Sequence, residues 1–186
     1  MAVTRILAFL LYCFVSITPA LCAASQTDVR LDKLFTRLLT PKYIAEAQQL
    51  EKLIWSIWKL SENESVTLLM QQGEAAMNAG DFESALEKFN EMVKLAPEFA
   101  EGWNKRATIF FLIENYRASL ADINRTLALE PRHFGALAGL GLVWDALNEK
   151  MKALEAYRSA LEIHPHLYGV KYRIEQLVKE LEGQPI

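Results

Sequence analysis

The residues in this chain best suited to acid–base or metal chemistry are three histidines, two of them flanking a proline in His164-Pro165-His166. Two imidazoles so placed look like half of a zinc site. Zinc sites, however, use cysteine partners or helical i, i+4 spacing, and neither accompanies this pair. Facing the negative carbonyl end of a helix is the simpler use for His164. The carboxylates Glu98 and Glu101 read as a solvated face rather than an acid/base pair. Gly139-Leu140-Gly141 is not a phosphate loop, because no strand precedes it and Trp144 stands where G-x-G-x-x-G needs its last glycine. The tripeptides beginning at Asn63 and Asn124 match glycosylation acceptors, the second inside an expected helix. Nothing resembles a nucleophile with its base. The expectation is a protein with no catalytic residue, no metal and no cofactor.

What positions these residues is a ruler of prolines. Pro97, Pro131 and Pro165 follow one another at intervals of 34 residues. A proline inside a helix costs about 3 kcal/mol, so each must end one. Counting each unit with its proline at position 32 gives repeats at 66–99, 100–133 and 134–167. Position 8 is then Gly73, Ala107 and Gly141, and position 20 is Ala85, Ser119 and Ala153. Small residues there let the two helices of a hairpin approach closely. Position 24 (Phe89, Ile123, Tyr157) and position 30 (Leu95, Leu129, Ile163) supply bulk between neighbouring hairpins. The stretches 78–82, 112–116 and 147–151 fall where a short turn joins the helices.

This pattern resembles the tetratricopeptide repeat, an all-α solenoid of antiparallel helix hairpins with a 34-residue period. The resemblance covers about residues 66–181. Position 7 departs from it at Gln72 and Arg106, position 17 at Lys150, and position 27 at Met92 and Thr126. One hairpin cannot bury its apolar face alone, so the array needs neighbours and capped ends. Residues 168–182 read as a C-terminal capping helix, with Val170, Ile174, Leu177, Val178 and Leu181 on one stripe. Residues 25–62 read as two further helices that form a degenerate hairpin capping the array. The rival reading folds residues 43–60 back into the groove. Trp55 and Trp58 could be core or a self-association surface.

The first 24 residues have the layout of an export signal. Arg5 is the only charge before Asp28, Ile6 to Ile17 form an apolar run, and small residues follow Pro19. Cleavage after Cys22 or Ala24 would remove both cysteines and leave a bacterial periplasmic protein without a thiol. An uncleaved segment would instead tether the chain to a membrane. Without Arg5, 19 basic residues face 23 acidic ones, a poor footprint for nucleic acid.

The resemblance also implies where binding occurs. In this family the first helices line a concave surface through positions 2, 5, 9, 12 and 13. The residues this selects include Met70, Glu74, Met77, Asn104, Thr108, Phe111, Leu112, Gly135, Ala138 and Leu142, joined by Lys105 and Gly139 at position 6 and by Tyr172 and Arg173 from the cap. Relatives that grip acidic chaperone tails use a clamp of Lys, Asn and Arg. Its places hold Met70, Glu74, Lys105, Gly135 and Gly139 here, so the clamp is absent. The expected ligand is a protein or peptide, and Gly135 and Gly139 could open a shallow pocket beside Phe111, Leu112 and Leu142.

Overall fold

The computed structural model describes residues 25–183, so the expected export signal lies outside it. A 3-10 turn, Ser25–Thr27, leads into α1 (Arg30–Leu39), α2 (Ile44–Trp58), α3 (Glu64–Asn78), α4 (Phe82–Leu95), α5 (Ala100–Leu112), α6 (Tyr116–Leu129), α7 (Phe134–Ala146), α8 (Lys150–Ile163) and α9 (Tyr168–Glu182). Among the described residues there is no strand, and no helix is long and apolar enough to cross a membrane.

The repeat is visible in the backbone before any packing is considered. Position 15 of each unit, Gly80, Glu114 and Asn148, adopts a left-handed conformation with φ of 77°, 60° and 60°. Glycine takes that geometry freely and asparagine tolerates it, whereas at Glu114 the tertiary fold imposes it. The next residue caps the second helix: Asp81 accepts from Ser84 N–H and Asn115 from Ala118 N–H. At the far end, Ala96, Glu130 and His164 share φ between −130° and −135°. These are the residues before Pro97, Pro131 and Pro165, where proline excludes the helical region.

The seam inside each hairpin explains the small residues. A methyl group on Gly73 would run into the Phe89 ring, and one on Gly141 into the Tyr157 ring. In the middle unit, position 24 is the slimmer Ile123 and position 8 is Ala107. Ser119 uses its hydroxyl to donate to Ala107 O at 2.9 Å. Between hairpins, Arg106 at position 7 donates to both oxygens of Asp122 (2.7 and 2.8 Å) and to Asn90 Oδ1 (3.0 Å), tying α4, α5 and α6 together. At the C-terminal end, α9 lays Val170, Ile174, Leu177, Val178 and Leu181 on Leu154, Tyr157 and Trp144.

The N-terminal hairpin does not cap the stack, contrary to the sequence expectation. Stacking runs in order from α3 to α9, whereas α1 and α2 pack on each other and α1 on α8. Leu31, Phe35, Leu38, Leu50, Ile54 and Trp58 share a core with Phe134, Ile163 and Leu167. The hairpin thus lies along the proline-turn edge of the repeats. Aromatic stacking sets that choice: Trp58 lies flat on the buried His133 ring (centroids 4.1 Å, 8° apart), and Trp55 meets Phe134 edge-on. Leu95 at position 30 also departs from expectation. It is 49% exposed rather than sandwiched between hairpins.

The position 8 seam gives a paired prediction. Gly141→Ala gains about 1 kcal/mol of helix propensity but must displace the Tyr157 ring, and overpacking costs about 1–3 kcal/mol. Urea unfolding should show net destabilisation. Gly169→Ala, where an added Cβ meets nothing within 4 Å, should leave stability unchanged or raise it by up to about 1 kcal/mol.

Candidate binding groove

Helices α3, α5 and α7 carry the residues expected on the concave surface, and the structure divides them into two groups. The first group is consumed by the protein itself. Met70 is 4% exposed and belongs to the core of the first hairpin, with Met77 packed against it. Asn104 donates to the Glu101 carboxylate at 2.9 Å. Lys105 bonds Glu74 at 2.8 Å and Glu101 at 3.5 Å. Arg173 is locked between Asp145 and Glu180. Gly135 is small because an added Cβ would come within 2.5 Å of Trp55 Cη2.

The second group remains open. Thr108, Leu112, Leu142 and Tyr172 are exposed, and Phe111, Ala138 and Gly139 are half-buried. A cleft of about 70 Å³ lies between α5 and α7, with Thr108, Phe111, Gly139 and Leu142 in its wall and Ile123 and Ser119 beneath. Gly139 is not required by a neighbour: a Cβ there would meet only Ile123 Cδ1, at an ordinary 3.8 Å. The two concave glycines therefore differ. Gly135 admits the protein's own tryptophan, and Gly139 leaves the wall of the cleft bare. Leu112, expected beside this pocket, is exposed but does not line it.

A chain of charges crosses the floor beside the cleft. Lys59, at the end of α2, bonds Glu74 at 2.7 Å, and Glu74 bonds Lys105. Lys105 reaches Glu101, which is fully buried and 3.0 Å from His133 Nε2. His133 Nδ1 accepts from Ala136 N–H, capping α7, so the ring proton sits on Nε2 and is donated to Glu101. Burial works against ionisation of Glu101, but the His133 hydrogen bond and the Lys105 charge outweigh it and hold the carboxyl below its ordinary value. At Glu74 burial is likewise outweighed, by the hydrogen bonds from Lys105 and Lys59. A second histidine repeats the arrangement at the neighbouring turn, where His164 Nε2 lies 3.2 Å from Glu51 of α2.

Glu101 and His133 have the spacing of an acid/base couple, but both side chains are wholly inaccessible and Trp58 covers the ring. No substrate can reach them. His164 is 1% exposed and committed to Glu51. Among the described residues no group of three His, Cys, Asp or Glu side chains could hold a metal ion. Sequence reasoning placed Glu101 on a solvated face. The usable signal was glycine at position 2 of the third unit combined with tryptophans one helical turn apart in α2.

The tetratricopeptide repeat profile matches residues 70–116 and 113–167. A TPR repeat-containing protein of Rhizobium etli is 34% identical over 161 residues, 87% of this chain and 79% of that protein. The small glutamine-rich tetratricopeptide repeat-containing protein 2 of Saccharomyces cerevisiae is 30% identical over 95 residues, 51% of this chain and 28% of that one. The chain belongs to the tetratricopeptide repeat family. Among solved structures, the first TPR of Spaghetti (RPAP3) bound to an HSP90 peptide has a TM-score of 0.63 at 18% identity, over 66% of this chain and 97% of that one. MamA has a TM-score of 0.60 at 27% identity, over 63% and 68%.

The charge chain fixes the sign of the acid response. Glu51, Glu74 and Glu101 have folded values below the ordinary carboxyl value of 4.5. Their contribution to stability is present above pH 4.5 and is lost as pH falls from there through the lower folded values. Urea midpoints should drop steeply between pH 5 and 3, and Glu74→Gln should flatten that slope.

Proposed function

We propose that the protein is a non-catalytic scaffold that binds a protein or peptide segment on its concave face, through the cleft between α5 and α7. The observation that carries this reading is Gly139. A helix-interior glycine forfeits about 1 kcal/mol relative to alanine, and no neighbour demands it; what it provides is access to the half-buried Phe111, the exposed Leu142 and the buried Ile123 beneath them. Proteins of the same fold are solved with peptides, among them the Spaghetti TPR with its HSP90 peptide and yeast Sti1 in a pHsp70 complex. Their acidic tails do not suit this groove. Lys105, the one cation at the expected clamp places, is already shared by Glu74 and Glu101. The segment it accepts presents an apolar side chain or helix face rather than a carboxylate.

The sequence layout of residues 1–24 supports export to a periplasm, where envelope assembly factors or unfolded secreted clients would be the partners. N-terminal sequencing of the purified protein should then begin near Ala23 or Ser25. A start at Met1 would instead support a membrane-tethered subunit. That second reading also draws on Trp55 and Lys59, which place residues of α2 against the concave floor at Gly135 and Glu74.

Two substitutions in the cleft test the binding reading. Leu142→Arg puts an unpaired cation on the wall, and Gly139→Leu fills the opening. Each should abolish capture of the partner retained by the wild-type protein from native envelope extract, with circular dichroism unchanged. Capture that survives both substitutions removes the cleft from the function.

A further inference from the structure

Among the described residues nothing covers the apolar N-terminal end of the solenoid, and its chemistry points to an occupant. Position 3 of the units is Leu68, Gly102 and Ala136. In the second and third units this residue is buried; an added Cβ on Gly102 would lie 3.1 Å from Met92 Sδ of the preceding hairpin. In the first unit no hairpin precedes, because α1 and α2 are engaged along the proline-turn edge. Leu68 is 53% exposed there and Leu95 49%. Together with Leu69 and Gln72 they border a cleft of about 670 Å³, rimmed on α4 by Glu91 and Lys94. A terminal repeat that faces water has a polar outer face. This one carries leucines at its centre and two opposite charges, neither of which makes an ion pair among the described residues.

We infer that this face docks against the same face of a second copy of the chain, about a two-fold axis. A two-fold contact is self-complementary by necessity. Running the two α4 helices antiparallel across the axis sets Glu91 of each copy opposite Lys94 of the other, while Leu68 and Leu95 of both copies pack around the axis. Head-to-tail stacking is disfavoured, because the outer face of α9 at the other end presents exposed Lys171, Glu175, Lys179 and Glu182. The contact therefore closes at two copies rather than propagating into a filament. It leaves both concave grooves free, so the dimer is a bivalent binder.

Sedimentation equilibrium of the full chain tests this directly. The expected mass is twice that of the single chain as purified, which is 21.1 kDa when residues 1–24 are retained. Leu68→Glu should give a monomer. Lys94→Glu, which sets like charges across the axis, should weaken the dimer by about tenfold or more. The double exchange Glu91→Lys with Lys94→Glu should restore it, because the pairing is reversed but still complementary. Lys94 is a surface residue, so these last two variants read the contact even if Leu68→Glu fails to fold. A monomeric wild-type protein up to high micromolar concentration overturns the inference, whether residues 1–24 or another protein then shields Leu68. So does a dimer indifferent to both single substitutions.

Discussion

A two-helix hairpin can fill the seam between its own helices but not its two outer faces, and every feature of this protein follows from how those faces are covered. Inside each hairpin the seam is closed by matched volumes: glycine where the opposing side chain is an aromatic ring, alanine where it is Ile123. Between hairpins the proline turn does the aligning. Ala96, Glu130 and His164 all take the same extended conformation, so each new hairpin leaves the last in the same direction. Constant direction is what produces a curved inner wall. The wall is thus a consequence of backbone geometry at three pre-proline residues, far from the side chains that line the cleft.

The two ends meet the same constraint differently. At the C-terminus, α9 supplies an apolar stripe to α8 and a charged face to water. At the N-terminus the obvious cap, α1 and α2, is drawn away. The competition is one of contact quality. Stacked on α3, the hairpin would bury leucines against leucines. Along the turns it stacks Trp58 flat on His133, meets Phe134 with Trp55, places Arg132 4.5 Å over the Phe35 ring, and sets Glu51 beside His164. The aromatic and charge-assisted contacts are specific in orientation, and they fall on two successive proline turns, at residues 132–134 and at His164. The hairpin therefore behaves as a strap over several repeats rather than as one more repeat.

This distinction marks where the sequence stops being legible. The repeats could be read because their determinants are local and periodic: the spacing of Pro97, Pro131 and Pro165 and the small residues at position 8 require no knowledge of distant contacts. The left-handed conformation of Glu114 could not be read, because its side chain gives no hint of φ > 0 and only comparison across units reveals it. The strap was illegible for a deeper reason. Its amphipathic helices have the right length and pattern for a repeat, and nothing in α2 alone says which apolar surface it will choose. The groove was half legible. Its position follows from the repeat, but which concave residues stay free depends on contacts the repeat does not encode: Met70 packs in the first hairpin's core, Asn104 and Lys105 bond Glu101 and Glu74, and Gly135 admits Trp55 of the strap.

The strap also sets the electrical character of the groove. Glu101 lies at a concave position and would, if solvated, leave a negative floor. Instead His133 and Asn104 donate to it and Lys105 screens it, while Lys59 from the strap shares Glu74. Each charge on the floor is matched before any partner arrives. A ligand that depended on a carboxylate or an ammonium would have to break one of these bonds and bury the orphaned partner, which costs more than the new contact returns. A ligand with an apolar side chain breaks none. The satisfied charges beside the cleft thus disfavour a charged ligand independently of the apolar side chains that line it, Phe111 and Leu142 among them.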